Sequence, residues 1–321
     1  MNVDWLEKEQ TVQLRAILCL LVVFAHSNNS IAYAFGPVAV SVFFLLSGYS
    51  LVFTTWNKKL TAKYVVRKFT NLLIPYFMVE ILYRILYYFY DTVKHYNTWE
   101  GTINGYLHFS PPVFAGWYLE VLVVLLVLYF VAYKIAKGNS RNLMLALAGL
   151  YIGFTLYNIF YTKCFEAIVI PHFFVLGVGL YFVKDKVEKF YVKNHWVNYV
   201  LLLCPIISFL ILYFFYSSEG TSKQIASAVF FNLAPAFLIY LILHVKLNNK
   251  FLAFIAKYSL WIYLVHVGFQ YILMNVIGMW GIKVRWISVT FFIATLILSI
   301  FLSIPLEFIF RKINKLLGFQ K

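Results

Sequence analysis

The sequence is poor in charged residues, and acidic residues are the scarcer kind. Only 12% of its 321 residues are charged, with 12 Asp or Glu against 27 Lys or Arg, whereas an ordinary soluble domain has about 25% charged residues. Hydrophobic residues make up 63% of the chain, more than a soluble core could cover without leaving apolar patches that aggregate. The composition therefore excludes an ordinary soluble protein and predicts a membrane protein whose solvent is the bilayer.

Cysteine is also scarce. The three cysteines, Cys19, Cys164 and Cys204, lie in or beside apolar runs and have neither the spacing of a metal site nor that of a disulfide framework. We interpret them as packing residues and expect no bound metal and no bound cofactor. Long Gly/Ser-rich or charged linkers are missing too, which predicts a single integral membrane domain over residues 1–321.

Apolar runs of roughly 20 residues recur along the whole chain, long enough to cross the ~30 Å hydrocarbon core as helices. The sequence thus predicts an all-α polytopic membrane protein with about ten transmembrane helices. Their expected positions are 12–33, 36–55, 71–90, 117–136, 142–161, 166–184, 197–216, 225–245, 258–278 and 286–308.

Basic residues cluster in alternate links, at residues 58–68, 134–141, 184–193 and 246–257, and again at the C-terminal end. By the positive-inside rule, this alternation places both termini in the cytoplasm. The net charge of +15 therefore reflects the orientation of the chain in the membrane, and we expect no nucleic-acid partner. We expect a multi-pass protein of the cell membrane, the inner or plasma membrane of a bacterium. Cleavage of a signal peptide near Ala34 is an alternative that would leave every later link on the same side.

The first apolar run holds Arg15 and His26, followed by Ser27, Asn28, Asn29 and Ser30. Eleven residues at 100° each are three turns plus about 20°, so both side chains share one helix face about 16 Å apart. Ionisable groups at membrane depth are costly unless they face a protein interior or a water-filled cavity, and they mark functional sites. The alternatives are a cytoplasmic charge anchor for Arg15 and a hydrogen-bonded core histidine for His26.

Further polar residues lie within other apolar runs. Glu80 and Arg84, four residues apart, are expected to form a structural ion pair. Isolated acids and histidines on separate helices are candidates to converge on one site; these are Glu120, His172, His266 and Glu307. The link over residues 91–116 is long and contains aromatic, Gly and Pro residues, which fits either an ordered lid or a plain surface loop.

Several segments together resemble the acyltransferase-3 family of integral membrane acyltransferases. The family pairs a basic residue with a histidine further along its first helix, as Arg15 and His26 do, and its second helix resembles FGPVAVSVFFLLSGYSLVF at 35–53. Four further segments are similar to the family, namely RKFTNLLIPY at 67–76, GWYL at 116–119, SLWIYLVH at 259–266 and IPLEFIFRK at 304–312. One departure is Thr70, which stands where the family often has a second arginine after Arg67.

The resemblance implies an O-acyltransferase that moves an acyl group, most often acetyl, from cytosolic acyl-CoA to a hydroxyl of a cell-surface carbohydrate or its lipid-linked precursor. Acetyl-CoA would be a co-substrate, with Arg15, Arg67 and Lys68 binding its phosphates. His26 would be the catalytic residue, either as a base toward the acceptor hydroxyl or as a nucleophile that relays the acyl group. Expected contacts to the acceptor or the oxyanion are Ser27, Asn28, Ser47, Tyr49, Trp117, Glu120 and His266.

A transporter or flippase of an envelope glycan or small molecule is the alternative. It would use the same buried ionisable residues as a proton or substrate path. Broken helices or inverted repeats, which would favour transport, are not evident in the sequence, so the family resemblance favours the acyltransferase.

Overall fold

The computed structural model describes residues 8–27, 33–56, 58, 60–90, 98–110, 113, 116–215, 220–279 and 288–319. Within these ranges the protein is helical and contains no strand, so the predicted all-α class is confirmed. Nine helical segments in this part of the chain are long and apolar enough to cross a membrane. The first helix, which carries Lys8, Glu9 and Arg15, is not one of the nine and accounts for the difference from the predicted ten.

The helices are numbered in chain order. Their bounds are α1 Lys8–Ala25, α2 Phe35–Thr55, α3 Ala62–Tyr90, α4 Trp99–Leu107, α5 Trp117–Ala136, α6 Ser140–Tyr157, α7 Phe165–Val169, α8 His172–Lys193, α9 Trp196–Phe215, α10 Thr221–Leu233, α11 Pro235–His244, α12 Lys250–Met279 and α13 Ser288–Leu316. A π-helical turn, Asn158–Thr162, extends α6.

The first helix is shorter than predicted. The apolar pattern predicts a helix over 12–33, whereas α1 ends at Ala25. Both the backbone N–H and the hydroxyl of Ser27 donate to the carbonyl of Phe24, at 2.9 and 2.6 Å. These contacts reach back three residues and compete with the regular i→i−4 pattern, which ends the helix. His26 therefore lies at the end of α1, with Ser27 just beyond it.

Other boundaries differ because polar residues extend apolar helices and proline interrupts them. Helix α3 begins at Ala62 instead of 71, α12 at Lys250 instead of 258, and α13 continues to Leu316. The predicted span 225–245 is divided into α10 and α11 at Ala234, because Pro235 lacks the N–H that a continuous helix requires.

Helices α2 and α8 make the closest contact in the described structure, through two glycines. A Cβ on Gly48 would lie 2.1 Å from the carbonyl oxygen of Phe174, and a Cβ on Gly177 would lie 2.0 Å from that of Leu45. The two backbones therefore touch directly, which no larger residue permits. This contact fixes the α2 turn that carries Ser47, and it explains the glycine in the SGYS segment.

Helix α1 packs between α2 and α12. Cys19 is buried, and its thiol donates to the carbonyl of Ser259 at 3.4 Å. At the start of α1, the side-chain amide of Gln10 donates to the carbonyl of Leu247 at 3.2 Å and accepts from its N–H at 3.0 Å. Gln13 likewise accepts from the N–H of Asn249 at 2.8 Å. Two buried amides thus tie α1 to the link that precedes α12.

Candidate functional site

His26 is held at the end of α1 by its own helix. Its Nδ1 lies 2.9 Å from the carbonyl oxygen of Val22. A carbonyl can only accept, so Nδ1 carries the hydrogen and the lone pair of the neutral ring is on Nε2. The local helix geometry therefore presents Nε2 as the basic, nucleophilic atom of His26.

His266 lies against His26, although 240 residues separate them in the chain. The ring centroids are 5.1 Å apart with the planes at 73°. His266 is fully buried in α12, and its Nδ1 lies 2.6 Å from the carbonyl oxygen of Tyr263. By the same reasoning, Nε2 of His266 holds the lone pair, and this atom is buried without a hydrogen-bond partner among the described residues. The structure thus joins two of the predicted site residues into one histidine pair.

A cavity of about 290 Å³, here called the basic cavity, is lined in part by Tyr263, three residues before His266, and neither histidine is among the described residues that line it. Arg15 and Lys68 line it, and no acidic residue is among the described residues that do so. Its neutral polar lining residues are Ser47, Ser50, Asn71, Tyr118, Ser259 and Tyr263. Two cations that share a cavity with serine and tyrosine hydroxyls are suited to a ligand with phosphate groups and an uncharged polar arm.

Tyr263 connects the basic cavity to the histidine pair. Its ring lines the cavity, and its carbonyl oxygen accepts the Nδ1 hydrogen of His266 one helical turn further on. The rings of Tyr263 and Tyr118 are 5.6 Å apart, and the Tyr118 and Ser47 hydroxyls are 3.5 Å apart. Helices α2, α5 and α12 therefore meet between the two cations and the two imidazoles.

Several predicted site residues lie elsewhere. Arg67 is exposed and does not line the basic cavity. Tyr49 points toward α8, where its ring lies 5.9 Å from that of Tyr181. Trp117 packs against the hydrophobic core without lining the cavity, and Asn28 lies outside the described residues. Of the predicted acyl-CoA contacts, the structure therefore brings Arg15 and Lys68 together and leaves out Arg67.

Glu120 lines a second cavity, of about 270 Å³, here called the acidic cavity. Its Oε1 accepts from the hydroxyl of Tyr76 at 3.0 Å, whereas Oε2 is buried without a hydrogen-bond partner among the described residues. Aromatic and aliphatic side chains line the rest, including Tyr106 and Phe109 from the link between α3 and α5. This link contains helix α4, which is compatible with both an ordered lid and a surface loop.

The Glu80–Arg84 ion pair anchors α4. The guanidinium contacts Glu80 at 2.6 Å, as predicted, and also donates to the hydroxyl of Thr102 in α4. Tyr106, also in α4, donates its hydroxyl hydrogen to the other Glu80 oxygen. Burial, together with this carboxylate, raises the pKa of the Tyr106 phenol, so the phenol keeps its proton and remains the donor. The ion pair is thus structural and joins α3 to α4.

Sequence reasoning missed three residues of the site and one contact. Tyr118 lies in the segment GWYL, and Ser259 and Tyr263 lie in the segment SLWIYLVH, both of which carry the family resemblance. The N–H of Trp261 donates to Glu307 at 2.8 Å, which joins the two C-terminal segments of that resemblance. Their position in the recognised segments was the available signal, because spacing alone cannot show contacts between helices.

A comparison with models of protein families gave a match. The model of the acyltransferase-3 family, described as an acyltransferase domain, matches residues 12–308, nearly the whole chain. The protein therefore belongs to the acyltransferase-3 family and is a multi-pass membrane acyltransferase. Searches of curated proteins and of solved structures each gave no significant match.

Proposed function

We propose that the protein transfers an acetyl group from acetyl-CoA to a hydroxyl of a cell-surface carbohydrate or of its lipid-linked precursor, with His26 as the catalytic residue. The observation that carries this proposal is the His26 imidazole, whose Nδ1 lies 2.9 Å from the carbonyl oxygen of Val22, which leaves the lone pair of the neutral ring on Nε2. The ring lies next to His266, which is three residues after Tyr263 in the wall of the basic cavity.

The basic cavity supports the choice of donor. Arg15 and Lys68 would bind the phosphates of CoA, and the serine- and tyrosine-lined remainder would take the uncharged pantetheine arm. Because Tyr263 leads from this cavity to His266, the thioester at the end of that arm would reach the histidine pair.

The chemistry requires one lone pair at His26. In direct transfer, the acceptor oxygen forms a bond to the thioester carbonyl carbon, the C–S bond breaks, Nε2 takes the hydroxyl proton, and that proton passes to the CoA thiolate. In a relay, Nε2 itself attacks the carbonyl carbon, the C–S bond breaks and CoA leaves as the thiolate. The acceptor oxygen then attacks the carbonyl carbon of the acyl-imidazolium, the C–N bond breaks, and the hydroxyl proton passes to the CoA thiolate. Both routes use the same atom, so the geometry suits either.

The test is His26→Ala, assayed for transfer from labelled acetyl-CoA in proteoliposomes. We expect transfer to fall by at least about 100-fold, the usual contribution of a positioned acid–base group, with normal membrane insertion. His244→Ala is the matched control, because its Nδ1 makes the same contact to a carbonyl four residues earlier, at 2.9 Å, but its ring is exposed at the end of α11. Undiminished transfer in the His26 variant would contradict the assignment.

The same preparation separates the two routes and tests the alternative function. Labelled protein that accumulates without acceptor, and is lost in His26→Ala, would identify the acyl-histidine relay. Movement of a glycan across the bilayer without any acetylated product would instead support the transporter and overturn the proposed function.

A further inference from the structure

Tyr83 of α3 places its hydroxyl within the helical turn that carries His266. The hydroxyl accepts from the N–H of Gly268 at 2.8 Å and donates to the carbonyl of Leu264 at 3.2 Å. These two backbone groups are four residues apart and would bond to each other in a regular α-helix. A side chain from a different helix therefore contributes to the hydrogen-bonding pattern of α12, and His266 lies between the two bonded residues.

The Tyr83 side chain packs closely against Gly268. Tyr83 is 3% exposed, and a Cβ on Gly268 would lie 3.3 Å from both its ring and its hydroxyl oxygen. The absence of a side chain at Gly268 therefore makes room for the phenol. Since buried backbone groups need partners, loss of the Tyr83 hydroxyl would leave Gly268 and Leu264 to re-pair with each other, which changes the turn locally.

Such a change would act on His266 directly. The Nδ1 of His266 is bonded to the carbonyl of Tyr263, one residue before Leu264, so the imidazole orientation depends on the backbone of this same turn. His266 in turn contacts the ring of His26. Tyr83 is thus connected to His26 through His266 and the turn that holds it.

We infer that Tyr83 is a positioning residue for the histidine pair: its hydroxyl fixes the 264–268 turn and thereby the placement of His266 beside His26. This inference rests on the proposed function. Tyr83 acts through the backbone of α12 and needs no contact with the acyl group or the acceptor.

The test is a double-mutant cycle of Tyr83→Phe and His266→Gln, with steady-state kinetics of acetyl transfer. Tyr83→Phe keeps the ring and removes only the hydroxyl. We expect it to lower kcat by about 10- to 100-fold, the cost of misplacing a reacting group by up to ~1 Å, with KM for acetyl-CoA within about twofold of the original. If Tyr83 acts through His266, the double variant should be no slower than His266→Gln alone.

A matched control separates positioning from general stability. Tyr129→Phe removes another buried phenol hydroxyl, which bonds the hydroxyl of Thr55 at 2.6 Å and lines neither cavity. We expect it to leave kcat unchanged. Effects of Tyr83→Phe and His266→Gln that multiply in the double variant, or an unchanged kcat in Tyr83→Phe, would overturn the inference. Failure of the proposed function is distinct, because the unmodified protein would then transfer no acetyl group at all.

Discussion

The basic and acidic cavities lie on adjacent faces of α5 and share part of their walls. Tyr118 lines the basic cavity and Glu120 lines the acidic cavity. Leu119 and Leu72 line both cavities. The two spaces are therefore neighbours, and what separates them chemically is the pair of cations, Arg15 and Lys68, which line the basic cavity and not the acidic one.

That difference would suit the two cavities to different ligands. Arg15 and Lys68 would attract a polyanion such as CoA, whereas the described lining of the acidic cavity contains no cation that could bind phosphate. Glu120 has one oxygen without a partner, which suits a ligand that donates a hydroxyl hydrogen. Its predicted contact with the acceptor stays a prediction, and the two cavities can be tested against each other.

The largest expected effect comes from breaking the α2–α8 contact that supports the basic cavity. In Gly48→Ala the added Cβ would lie 2.1 Å from a backbone oxygen, so the helices must separate at a cost of about 3 kcal/mol, the upper end for overpacking. We expect loss of the monodisperse peak in size-exclusion chromatography and a lower melting temperature. Gly153→Ala is the matched control, because a Cβ there meets nothing within 4 Å; an equal loss in both variants would contradict the argument.

The next effect distinguishes the cavities by charge. Arg15→Ala should raise KM for acetyl-CoA by about 10- to 100-fold, since hydrogen bonds to charged groups contribute about 1.5–3 kcal/mol, with a smaller change in kcat. Glu120→Gln changes a residue of the acidic cavity and should leave KM for acetyl-CoA within about twofold of the value for the unmodified protein. A normal KM in Arg15→Ala would return this residue to the role of a cytoplasmic charge anchor, and equal shifts in both variants would remove the distinction between the cavities.

The smallest effect compares two adjacent cations. Lys68 lines the basic cavity and Arg67 is exposed. Lys68→Ala should therefore raise KM for acetyl-CoA by about three- to tenfold, and Arg67→Ala by less than twofold, in keeping with the small contribution of exposed charges. A larger increase in KM in Arg67→Ala than in Lys68→Ala would support the sequence-based prediction that Arg67 binds CoA.

The sequence predicted what depends on local pattern. Long apolar runs identify membrane helices, and the spacing of Arg15 and His26 correctly placed both toward the protein interior. It could not predict which helix faces meet, because a helix such as α2 is apolar on every side and gives no direction. The contact of His26 with His266 and the insertion of Tyr83 into α12 depend on packing between distant segments. Helix α1 ends where Ser27 bonds to the carbonyl of Phe24, three residues earlier, and an apolar pattern does not reveal such a contact.

The hydrogen bonds between the Gln10 side chain and the Leu247 backbone have a consequence for biosynthesis. These residues are 237 positions apart, so at ~5–20 residues per second the ribosome needs roughly 12–47 s to reach the second after making the first. During that interval α1 has been made, whereas Leu247, Asn249 and His266, the distant partners of Gln10, Gln13 and His26, do not yet exist. The histidine pair is therefore completed late in translation, and a truncated nascent chain that stops before α12 carries His26 without His266.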